Sequence, residues 1–117
     1  MKSIITNDLG HCFVCGASEN LHLHHTIFGS KRKKADEDGL VVPLCIYHHT
    51  GSNKAVHCKE GKKLDDYLKK ISEESWLIYY DKTKEEFIAR YGRNYLWRFM
   101  TNKEYYLWIN YIRLKIQ

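Results

Sequence analysis

Apolar and polar residues alternate over residues 21–25 (LHLHH): Leu21, Leu23 and His25 fall on one side, His22 and His24 on the other. Strict alternation of this kind predicts a short β-strand. A β-branched apolar run, LVVPLC at 40–45, predicts a second strand, and FGSKRKKADEDG between the two reads as a loop. Residues 46–59 have helical composition, interrupted at Gly51. Further along, Leu64, Tyr67, Leu68 and Ile71 recur at helical spacing, and Thr83 and Glu86 stand in the capping-box arrangement ahead of a helix that closes at Gly92. Residues 103–116, with Tyr106, Trp108, Ile109, Ile112 and Ile116, form another helix candidate. The pattern therefore predicts an α+β protein. A ββα unit occupies 1–59 and a C-terminal helical extension 60–117, within a single domain spanning 1–117 and without internal repeats or a Gly/Ser/Pro-rich linker.

Composition narrows the classes. A chain of 117 residues suits one domain, and 44% hydrophobic with 14% aromatic residues is enough to build a core. No stretch approaches the roughly 18 apolar residues of a membrane span, and MKSIITNDLGHC lacks the apolar run of a signal peptide, so a cytoplasmic protein with no membrane partner is expected. A formal net charge of +5 suits a polyanionic partner.

In a reducing compartment the four cysteines are metal ligands or free thiols. Their spacing favours a metal. HCFVCG places two residues between Cys12 and Cys15 with a glycine after, the knuckle that turns two thiolates toward one ion, and PLCIYHH repeats the spacing between Cys45 and His48. Cys12, Cys15, Cys45 and His48 thus form a candidate Cys3His structural zinc site. A thioredoxin-like reading of CFVC lacks the surrounding βαβ pattern, and Cys58 is left as an odd thiol. Two adjacent histidine pairs remain. Neighbours on a strand face opposite sides and neighbours on a helix diverge by about 100°, so His24 and His25, like His48 and His49, are expected to serve different jobs. His11 and His22 read as ordinary polar residues.

The segments CFVCG, LHLHH, GLVVPLC and the following histidine pair, in that order over residues 11–58, resemble the HNH endonucleases of the His-Me finger, or ββα-metal, superfamily, in particular small phage and prophage HNH proteins. EEFIARYGRNYL extends the likeness past the finger. The resemblance implies a metal-dependent hydrolase of DNA phosphodiester bonds, working in the cytoplasm of a bacterial host or phage-infected cell. It implies that His24 and His49 hold a catalytic divalent ion (magnesium, manganese or zinc) and that His25 is the general base. The middle asparagine of that family has no counterpart in DEDGLVV. Asp38 is one substitute, through a hydrogen bond; Asn53 or His57, following His49 on the expected helix, are others, entering the metal site. Lys31, Arg32, Lys33 and Lys34 form a basic loop beside the base, suited to holding a DNA backbone. The missing asparagine supports a second function class, a catalytically weak or inactive zinc-stabilised DNA-binding or recombination accessory module. A zinc-ribbon adaptor for proteins alone is the third.

Overall fold

The computed structural model describes residues 2–52, 54–96 and 107. Two five-residue strands, β1 (Leu21–His25) and β2 (Val41–Cys45), pair antiparallel, with Leu21 opposite Cys45 and His25 opposite Val41. In a two-stranded sheet each strand is an edge, so Pro43 is tolerated inside β2. Its carbonyl accepts the Phe13 N–H at 2.8 Å. Helices α1 (Arg32–Asp38), α2 (Ile46–His49), α3 (Lys62–Tyr79) and α4 (Lys84–Tyr91) complete an α+β architecture. Among the described residues, no helix is long and apolar enough to cross a membrane.

Two expectations need correction. The predicted loop after β1 contains α1, preceded by a 3-10 turn at Gly29–Lys31, so the basic block lies on ordered helical backbone. Local signals oppose this helix: it has no side-chain N-cap, and its basic residues start and its acidic residues end it, against the macrodipole. Tertiary packing outweighs them. Ala35 is fully buried, and Gly39, at a left-handed φ of 78°, lets its N–H reach the Ala35 and Asp36 carbonyls and end the helix.

The helix predicted over 46–59 is only the single turn α2. The Thr50 and Gly51 N–H groups both converge on the Ile46 carbonyl (3.1 and 2.6 Å), and Val56 N–H returns to the His48 carbonyl at 2.7 Å, so the chain folds back on itself. Ala55 and Val56 are buried and anchor this turn. Gly61 makes the fold-back feasible, since a Cβ there would lie 1.8 Å from the Ala55 carbonyl oxygen. Asn53 and the helix predicted over 103–116 lie outside the described residues, apart from Leu107.

The core has two clusters, and α3 runs through both. Val42, Leu44, Cys12, Cys45 and Val56 pack with Leu68, while Ile27, Ala35 and Leu40 pack with Trp76, Leu77, Phe87 and Tyr91. Between them the Ser72 hydroxyl donates to Thr26 Oγ1 at 2.5 Å, and Thr26 donates onward to the Leu40 carbonyl at 3.1 Å. The capping box of α4 is present: Thr83 Oγ1 accepts the Glu86 N–H at 3.2 Å and Glu86 Oε1 accepts the Thr83 N–H at 3.3 Å. Gly92 ends that helix, as its position predicts.

Asp38 joins α1 to α3 and α4. Its carboxylate, 13% exposed, accepts from Trp76 Nε1 at 2.8 Å, from Arg90 Nε and Nη2 at 2.5 and 2.9 Å, and from the Tyr91 hydroxyl at 2.5 Å. Burial and the Asp38 hydrogen bond raise the Tyr91 pKa, which keeps that phenol a donor. Removing this acceptor strands several donors at once. Asp38→Ala is expected to cost about 2–3 kcal/mol in urea unfolding; a change under about 0.5 kcal/mol, within the range of ordinary surface substitutions, would refute the role.

Candidate active site and metal centre

The first centre forms where a knuckle at residues 12–16 meets the start of α2. Gly16 N–H closes on the Cys12 carbonyl at 2.9 Å, and the Cys12 N–H reaches the Ala17 carbonyl at 2.7 Å. Cys15 Sγ lies 3.7 Å from Cys45 Sγ, while His48 Nδ1 lies 3.3 Å from Cys45 Sγ and 3.7 Å from Cys12 Sγ. Ligands 2.0–2.3 Å from a tetrahedral zinc ion would stand about 3.8 Å apart for two sulfurs and about 3.6 Å apart for sulfur and nitrogen. The spacing fits an ion and is far too long for a disulfide. Burial pushes the Cys12 thiol up, but N–H groups of Cys45, Cys15 and Val14 aimed at the sulfur outweigh it and bring the pKa to about 6. A thiolate is thus available at neutral pH. These four residues could bind a metal such as zinc.

The second group comprises His24, His49 and His57, whose ligand nitrogens lie within 4.8 Å of one another. His24 comes from β1, His49 from the last position of α2, and His57 from the fold-back turn rather than from a helix. Ring centroids are 5.4 Å apart for His24 and His49, and 4.9 Å for His57 to each of the other two. His24 is 2% exposed, and its Nε2 is buried with no hydrogen-bond partner among the described residues. Burial, then the nearby His57 and His49 rings, push its pKa down to about 3, so the ring is neutral. Burial and the His57 and His22 rings lower His49 as well. A buried nitrogen without a partner is costly; a neutral imidazole facing two others is also the form that ligates a cation. The donor set fits a metal.

No family model, curated protein or solved structure matches the chain.

His25 sits beside this group, with its Nε2 2.9 Å from Asp36 Oδ1. The aspartate beside it is therefore Asp36, and the sequence-based expectation of Asp38 is corrected: residues two apart on a helix point about 200° apart, and Asp38 is committed to Arg90, Trp76 and Tyr91. In a neutral ring, the tautomer that donates Nε2–H to this carboxylate carries its lone pair on Nδ1. A cleft of about 270 Å³ is lined by Leu23, His24, His25, Phe28, Arg32, His49 and His57. It shares His25 and Arg32 with a hollow of about 550 Å³ that adds Gly29, Ser30, Lys33 and Asp36.

The basic block divides. Arg32 and Lys33 are exposed and line the hollow, whereas Lys34 Nζ donates to the Arg90 carbonyl at 3.2 Å and Lys31 is half-buried beside Gly92. His11 is exposed and pairs with Asp8 at 2.8 Å. Cys58 is a half-buried free thiol. His22, read from the sequence as an ordinary polar residue, has its Nδ1 3.2 Å from His49 Nδ1. The alternation that places His22 and His24 on one strand face is the signal that identifies it.

A structural zinc ion supplies folding free energy directly, on the order of 10 kcal/mol in small domains. Cys15→Ala should lower the zinc content by one ion per chain and abolish cooperative thermal unfolding, read by elemental analysis and circular dichroism. A Cys15→Ala protein that stays folded without that ion would exclude the centre.

Proposed function

We propose that the chain is a metal-dependent endonuclease of the HNH type, a zinc-stapled ββα-metal finger with a helical extension, that hydrolyses phosphodiester bonds in DNA. The observation that carries the reading is the shared cleft: His24, whose buried Nε2 has no hydrogen-bond partner among the described residues, lines one cleft with His49, His57, Arg32 and His25, the histidine that pairs with Asp36. The likeness of CFVCG, LHLHH and GLVVPLC to that family supports it.

His24, His49 and His57 would hold the divalent ion and leave its fourth position open for water or substrate. When bound, the ion supplies Lewis-acid stabilisation of charge on the phosphate oxygens and leaving group. Three imidazoles suit a transition ion such as zinc better than magnesium, whose preferred donors are oxygens.

The remaining work falls to side chains. His25 Nδ1 takes the proton from the attacking water, and Asp36 fixes the ring and stabilises the imidazolium that forms. Arg32, with its forked donors, and Lys33 hold the backbone phosphates on either side of the reacting one. The net charge of +5 raises the local concentration of a polyanion.

Plasmid cleavage with magnesium, manganese or zinc should be readily detected and should fall by about 10²–10⁴-fold in His25→Ala, with DNA affinity retained and the protein still folded. Asp36→Ala should lose less. Absence of cleavage by the wild-type protein, with DNA binding retained, would replace the nuclease by the DNA-binding accessory module. In a separate measurement, Arg32→Ala and Lys33→Ala should each flatten the dependence of log affinity on log salt by about 0.9. Lys34→Ala, whose ammonium is held by Arg90, should leave that slope unchanged.

A further inference from the structure

His22 has no role in the chemistry above, yet its placement is specific. On β1 it shares a face with His24, two residues on, and His49 lies beside both, at centroid separations of 5.3 Å from His22 and 5.4 Å from His24. The His22 and His49 Nδ1 atoms are 3.2 Å apart. Two imidazole nitrogens at that distance make a hydrogen bond only if one carries the proton and the other a lone pair. The ligand atoms of His24, His49 and His57 gather within 4.8 Å, a set that His22 does not join. A fourth imidazole on the ion would also leave no tetrahedral position for water.

We propose that His22 is a positioning residue: its Nδ1 accepts the Nδ1–H of His49 and thereby fixes the tautomer of His49 whose Nε2 lone pair faces the ion. The inference rests on the tri-histidine centre proposed above. Histidine ligands are oriented in this way by an acceptor on their second nitrogen, and losing the acceptor weakens metal affinity by about 10- to 100-fold. His22 is exposed, so its replacement leaves the core untouched.

The test is a zinc titration of the full-length protein against a chromophoric chelator, comparing wild type, His22→Ala and His22→Asn, whose amide oxygen can stand where Nδ1 stood. Expected are two ions per wild-type chain, a second ion bound about 10- to 100-fold more weakly by His22→Ala, and recovery of most of that loss in His22→Asn. The tighter ion at the cysteine centre should be unaffected in all three. Long-range ¹H–¹⁵N correlation spectra of the zinc-loaded wild type should show His49 protonated on Nδ1. Unchanged second-ion affinity in His22→Ala, or a His49 protonated on Nε2, overturns the role of His22 while leaving the metal centre standing. Equal losses in His22→Ala and His22→Asn make His22 a ligand and overturn the positioning role. A wild-type chain that binds only the cysteine-site ion removes the tri-histidine centre itself, and the inference with it.

Discussion

The convergence of Cys12, Cys15, Cys45 and His48 is the constraint on which the rest of the structure depends. Helix α2 is four residues long, far below the length at which a helix persists alone. What holds it is that Cys45, at its N-cap, and His48, in its last turn, meet at one point with the knuckle. Once His48 faces that point, His49 is turned away by the pitch of the helix and toward His24. The neighbouring centre thus inherits its geometry from the first. The chain also returns directly from α2, through Val56 N–H on the His48 carbonyl, and this carries His57 to the same side.

The strand shows the same economy with an inversion of the usual burial rule. Leu23 is 40% exposed while His24, its neighbour, is almost completely buried. The rings of His49, His57 and Phe28 lie against His24, and the Lys69 ammonium lies 4.4 Å from the Phe28 centroid. Burial holds His24 neutral and lowers the pKa of His49, which suits this wall to receive a cation. The two flanking cations, Arg32 and Lys33, are exposed at the edge of the adjoining hollow.

What was legible in the sequence had local causes. Ligand spacing in CFVCG and CIYH, alternation in LHLHH and the Thr83–Glu86 box each act within a few residues, and all three correspond to observed geometry. Helix α1 was hidden because its charge order and missing cap argue against a helix; Ala35, Gly39 and the aspartates stabilise it through contacts made elsewhere in the chain. With that helix unseen, its phase was unseen too, and Asp36 could not be told from Asp38 as the partner of His25. His57 lies near His24 and His49, but in a turn rather than on the expected helix, and its position follows from buried Ala55 and Val56 and the tight approach at Gly61, none of which periodicity reveals.

The bonds from Asp38 to Arg90 and Tyr91 span 52 and 53 residues. Contacts of such sequence separation close late, because the intervening loop entropy must be overcome first. The cysteine centre, complete by residue 48, precedes them in the order of synthesis. Helix α1, which carries both Arg32 and the aspartate that holds His25, gains its main anchor only when α4 arrives. In the order of synthesis the cysteine cluster, which could hold a metal, is therefore complete well before the contacts that fix the helix lining the cleft.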